Sequence, residues 1–117
     1  MAYQHAQLAA GRWQTLPLVE QLANVGSDVA RAHRWQGRDP ASCEKACARA
    51  LELLDLTIQD PRWKGRRKEI CRSREVFCTL LIDSENILNI EKELDSLDKY
   101  FMQFAVLARL ARDKKTA

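Results

Sequence analysis

The sequence predicts an all-α fold, an antiparallel up-down-up-down four-helix bundle, on three observations. Apolar residues recur every three or four positions in four separate stretches, no stretch alternates in the manner of a strand, and Asp-Pro pairs stand where helices should begin. The clearest stretch is Ala41 to Gln59. There Cys43, Cys47, Ala50, Leu51, Leu54 and Ile58 line one side and Glu44, Lys45, Arg49, Glu52 and Asp55 the other. A helix with so wide an apolar side is unstable alone in water and needs partner helices to cover it. At 117 residues, 46% hydrophobic and 30% charged, the chain has the size of one domain with a core, and its composition fits neither disorder nor a membrane protein.

Residues 1–12 have no clear period and are expected to form an N-terminal arm or a short extra helix, ahead of a bundle over residues 13–113. The first helix is expected over 16–36, with Thr15 or Leu16 as its cap and Gly37 ending it. Leu18, Leu22, Val25, Val29 and Ala32 follow a 4-3-4-3 spacing, the apolar seam of a bundle helix. Gly26 costs about 1 kcal/mol relative to Ala in a helix interior, so either another backbone or a bulky side chain approaches closely there or it is a tolerated imperfection. The second helix, 40–59, has Asp39 as N-cap and Pro40 in the first helical position, and the short loop before it sets it antiparallel to the first. A third helix over 62–82 starts after the second Asp-Pro pair, with Trp63, Ile70, Phe77, Leu80 and Leu81 inward, although Gly65 moves the expected start toward Arg67. Residues 83–90 form the longest internal connection. The fourth helix, 91–112, follows the seam Ile90, Leu94, Leu97, Phe101, Phe104, Ala108 and Ala111, and residues 114–117 should fray.

No apolar run approaches the roughly 20 residues needed to cross a bilayer. The N-terminus MAYQHAQLAAG lacks the charged start and apolar centre of a signal peptide, so the expected location is cytoplasmic, with no membrane partner and with the cysteines reduced. The net charge of +3 favours no partner by itself.

Its distribution is more telling. Arg62, Lys64, Arg66, Arg67, Lys68, Arg72 and Arg74 crowd into thirteen residues against the single acid Glu69. An exposed strip of this density can hold phosphates by releasing counterions, and Trp63 beside it could stack on an unpaired base. The plainer alternative is a solvated helix whose cations answer acids elsewhere in the bundle. Arg67 and Arg74 point toward the apolar side. A buried Arg74 must be paired, with Glu75, Asp28 or Glu20 as acceptor, or else it lines a cleft for an anion. Cys43 and Cys47 sit one helical turn apart, and Cys71 and Cys78 two turns apart, so a metal site is conceivable if the two helices face each other. Small apolar filling of the core is the commoner role of cysteine. His33 suits a helix C-terminus as a cation. No HExxH, phosphate-binding glycine loop, GxSxG or Cys-His pairing is found, which disfavours an enzyme, and no cofactor is implied.

The stretches WQTLPLVEQLANVGSDVARAHRW, ALELLDLTIQDPRW and KYFMQFAVLAR resemble a set of small uncharacterised bacterial helical-bundle proteins, over most of the chain from Trp13 to Arg109. That likeness implies a fold and no activity. A looser one, carried by EKACARALELLDLTI within its order of helices, is to the 23S rRNA intervening-sequence proteins and the Avd accessory proteins of diversity-generating retroelements. Those bundles form ring-shaped oligomers, and the Avd type binds nucleic acid on a basic surface. The chain departs from them in lacking the early aromatic stretch of the first and the strong basic excess of the second. The expected function is a non-catalytic interaction protein. It self-associates as a homo-oligomer, contacts nucleic acid through the basic third helix, and offers Trp13, Trp35, Trp63 and Tyr100 as interface anchors. The alternative is a small-ligand or metal-binding bundle using Arg74, Glu75 and the cysteines. A third reading, a helical ribonuclease of toxin-antitoxin type, rests on fold analogy and lacks the required histidine after His33.

Overall fold

A computed structural model describes residues 11–83 and 88–116 of the chain, with the side chains of 115 and 116 left aside. Four α-helices make up the bundle: α1 (Leu18–Trp35), α2 (Pro40–Gln59), α3 (Arg67–Leu81) and α4 (Ile90–Thr116). Two short 3-10 helices, Arg12–Thr15 and Pro61–Arg66, precede α1 and α3. Among the described residues there is no strand, and no helix is long and apolar enough to cross a membrane.

Pairings between elements give the helix directions. The start of α1 meets the end of α2, where Gln21 Nε2 donates to Asp60 Oδ2 at 3.1 Å, and the end of α1 meets the start of α2, where the Cys43 thiol donates to Ala32 O. The end of α1 also meets the start of α4 through His33 and Glu91, and the end of α2 meets the start of α3 through Ile58 and Arg67. Gln36 Nε2, just past α1, donates to Leu80 O at the end of α3, so α1 and α3 run the same way. The result is an up-down-up-down bundle in which α1 packs chiefly on α2 and α4, and α3 closes the remaining side.

The expected seams form the core. Leu18, Leu22, Val25, Val29 and Ala32 of α1 are all buried, as are Ile70, Phe77, Leu80 and Leu81 of α3 and Leu94, Leu97, Phe101, Phe104 and Ala108 of α4. Gly26 lies against α4 so closely that a Cβ placed on it would sit 2.7 Å from Phe101 Cβ. The close approach at the glycine is therefore to Phe101. In α2 the buried side is wider than the six-residue stripe suggested, adding Ala46, Leu53, Leu56 and Thr57, because α2 is covered by both α1 and α3.

Three boundaries differ from expectation. Pro17, not Thr15 or Leu16, precedes the first turn of α1. Residues 61–66 form a 3-10 helix with Trp63 off helical geometry (φ −104°, ψ 21°), so α3 begins at Arg67. Helix α4 runs on to Thr116, past the expected end at 112, and is about 40 Å long. Residues 1–10 of the expected 1–12 arm, the middle of the 83–90 connection and Ala117 lie outside the described residues, and Arg12 already belongs to the first 3-10 helix.

Candidate functional site

The basic segment divides into cations already engaged and cations left facing solvent. Arg62 is engaged. Its guanidinium donates to Asp60 from Nε at 3.1 and 3.2 Å and from Nη2 at 2.7 Å, and Nη2 also donates to Leu16 O at 2.7 Å. Asp60 is 1% exposed, and these bonds hold its carboxyl below the usual carboxylate range despite its burial. A buried polar network continues from there. Gln21 Nε2 donates to Asp60 and to Trp13 O, Trp63 Nε1 donates to Gln21 Oε1, and Trp13 Nε1 donates to Thr57 Oγ1. Every polar group in this knot is hydrogen-bonded, the condition under which burying it is tolerable.

This knot corrects several expectations. Trp13 is fully buried and locks the bundle's end instead of anchoring a partner. Trp63 is half-buried, with its Nε1 committed to Gln21 and the Arg62 guanidinium 4.4 Å over one face of its ring, so it is tied into the fold more than a free stacking platform would be. Arg74 is not a core residue. Its side chain is 37% exposed and Nε donates to Asp55 Oδ1 at 2.9 Å, in place of Glu75, Asp28 or Glu20. Asp28 is buried and answered by Arg31 and Arg49. Arg66 pairs with Glu69, which also accepts the Tyr100 hydroxyl, and Arg66 foremost holds the Glu69 carboxyl below its usual range. Tyr100 is half-buried, edge-on to Phe101 and Phe104, whereas Trp35 remains on the surface.

What remains is a contiguous basic face. Lys64, Arg67, Lys68 and Arg72 line one open groove of about 1180 Å³ together with Gly65, Glu69, Cys71 and Glu75. All four cations are exposed, and Arg67 also donates Nε to Ile58 O, so it faces water and not the core as expected. Among the described residues no carboxylate lies within ion-pair distance of any of the four.

The cysteines do not make a metal site. All four are free thiols, and among the described residues no group of three possible metal ligands includes a cysteine. Cys47 is buried, and desolvation followed by the neighbouring Cys43 pushes its thiol up to about 12, which leaves it protonated and inert as core filling.

A second cluster, unforeseen as such, occupies the opposite end of the bundle from the knot. His33, near the end of α1, has both ring nitrogens against carboxylates of α4: Nδ1 lies 2.5 Å from Asp98 Oδ2 and Nε2 lies 3.2 Å from Glu91 Oε2. Burial disfavours the charged ring, but the hydrogen bonds and charges of Asp98 and Glu91 outweigh it and raise His33 above its ordinary 6.5. Asp95 stands one turn along α4 from Glu91, and its carboxylate faces the same spot. The signal was present in the sequence as acids at 91, 95 and 98, spaced 4-3 along one side of a helix whose start shares a bundle end with His33.

Comparisons with protein-family models, curated proteins and solved structures find no match. The site must speak for itself.

Proposed function

We infer that this protein is a non-catalytic interaction module that binds nucleic-acid phosphates along α3 and self-associates along α4. The observation that carries the first part is the set of four exposed cations, Lys64, Arg67, Lys68 and Arg72, on one open groove without ion-pair partners among the described residues. Cations already paired gain little from a phosphate, whereas unpaired ones release the counterions that drive polyanion binding. With Trp63 committed inside the fold, the contact is to backbone and not to bases, so it is expected to be insensitive to sequence.

Self-association is supported by α4. Met102, Val106 and Leu110 are 61%, 51% and 54% exposed and repeat every four residues on the side of α4 turned away from buried Phe101 and Phe104. Leu107 adds a fourth exposed apolar side chain beside them. A stripe of this kind on a small bundle fits a second copy of the same helix. The resemblance to ring-forming bundles agrees with it.

Fluorescence anisotropy with a single-stranded RNA 20-mer tests the first part. Affinity is expected to fall with log salt at a slope of about −3, from roughly 0.7 per phosphate contact over four contacts. The triple variant Lys64→Glu, Lys68→Glu, Arg72→Glu should abolish it with the helical circular dichroism unchanged. Binding that ignores salt, or that survives the triple variant, removes this reading. For the second part, size-exclusion chromatography with light scattering should show an oligomer that Val106→Glu with Leu110→Glu reduces to a monomer; a wild-type monomer at high concentration removes it.

A further inference from the structure

We propose that His33, Glu91 and Asp95 form a binding site for a first-row divalent transition ion such as zinc or cobalt, with Asp98 holding the imidazole from behind. One ligand atom from each of the three residues lies within 4.8 Å of the others, and they come from two helices: His33 from the end of α1, Glu91 and Asp95 from successive turns at the start of α4. A tetrahedral ion with bonds of about 2.1 Å holds its ligand atoms roughly 3.4 Å apart. His33 Nε2 and Glu91 Oε2 are already 3.2 Å apart, and the exposed Asp95 needs a movement of roughly an ångström, within the reach of one rotamer change.

The second observation is the arrangement behind the ring. Asp98 Oδ2 accepts from His33 Nδ1, while Asp98 Oδ1 is sealed from solvent without a partner. A carboxylate on Nδ1 fixes the tautomer whose Nε2 carries a lone pair, and it raises the basicity of that nitrogen; this is the support that metal-binding histidines commonly have. His33 Nε2 faces the Glu91 carboxylate at 3.2 Å with Asp95 beside it, a grouping of one imidazole nitrogen and two carboxylates that a cation between them would join. A proton can serve, and so can a metal ion.

The donor set selects the ion. One imidazole nitrogen with carboxylate oxygens suits zinc, cobalt, nickel or manganese, and offers neither the all-oxygen cage that calcium prefers nor the sulfur that soft ions need. Three protein ligands leave a coordination position open. His33 and Glu91 line a cleft of about 270 Å³ together with Arg34 and Arg38, so water or a small anion could complete the sphere. Binding ties the end of α1 to the start of α4, so the ion should stabilise the whole bundle by mass action.

The test is titration of the full-length protein with Co²⁺ in a non-chelating buffer, followed by visible absorption and by thermal unfolding. We expect one ion per chain, a ligand-field spectrum without a thiolate-to-cobalt band, and a raised melting temperature at saturation. Glu91→Gln with Asp95→Asn changes only exposed side chains, so the fold should survive, and it should weaken binding by at least tenfold. Asp98→Asn should weaken it about tenfold or more through His33 alone. A thiolate band, or a double variant that binds as tightly as the wild type, would place the ion elsewhere and overturn the proposal. So would wild-type binding no tighter than millimolar, which would mean that a proton serves as the cation.

Discussion

Gly26 and Phe101 show how one residue sets the distance between two helices. An exposed glycine in mid-helix would gain about 1 kcal/mol on replacement by alanine. Here the added methyl would meet Phe101 Cβ at 2.7 Å, the rigid stem of a buried ring, so α1 and α4 would have to separate. Overpacking of this kind typically costs 1–3 kcal/mol. Gly26→Ala is therefore expected to lower stability by about 1 kcal/mol in urea unfolding; a stabilised variant would show that the contact yields easily. A close approach was one of two readings the sequence allowed for a glycine on a small-residue stripe beside the seam, the other being a tolerated imperfection, and the structure decides for the first. The identity of its neighbour was not legible, since any large residue of a facing helix would have served.

Among the elements, α2 was the most readable because both its ends carry Asp-Pro. Asp39 accepts from Ser42 N at 3.4 Å and from the Ser42 hydroxyl at 2.8 Å, and Pro40 occupies the first helical position, where its missing N–H costs nothing. Replacing Asp39 by Ala should lower thermal and urea stability, and Asp39→Asn much less, since amide oxygen caps as well as carboxylate. The second Asp-Pro pair behaved differently. Asp60 accepts from Arg62 N and starts a 3-10 helix, and Trp63 leaves helical geometry while its indole bonds to Gln21 on α1. The start of α3 was therefore displaced to Arg67 by a tertiary bond that local propensity does not contain. Helix α4 outlasts its buried seam, which ends at Ala108 and leaves the expected Ala111 exposed, and its exposed final turns carry the stripe through Leu110.

For the molecule as a whole, the buried knot at the Trp13 end makes stability depend on pH. Arg62 foremost lowers the pKa of Asp60 in the folded state below the ordinary value of 3.8. Its ionised form thus favours folding, a contribution fully present above the unfolded value and lost as pH falls through the folded one. Glu69, lowered by Arg66, acts in the same direction. Urea midpoints should accordingly fall below about pH 4, and Asp60→Asn should flatten that acid limb while lowering stability at neutral pH. An unchanged limb in the variant would assign acid sensitivity to other carboxylates.

The period of the apolar residues was enough to specify four helices and most of their inward sides, because burial follows a repeat that runs along the chain and short loops leave few ways to stack it; α2, covered from two sides, buried a different set from the expected stripe. Charges carry no such period. Arg62, Arg66 and Arg74 had several acids within reach, and only the packed bundle assigned them to Asp60, Glu69 and Asp55 and left Lys64, Arg67, Lys68 and Arg72 on the groove. The same holds for His33, whose carboxylates lie 58 and 65 residues away and meet it because two helix ends share one side of the bundle. Hydrophobic burial adds up over many contacts and tolerates small errors of position, whereas an ion pair or a metal ligand requires two particular atoms within a few ångströms, a condition set by the arrangement of helices in space.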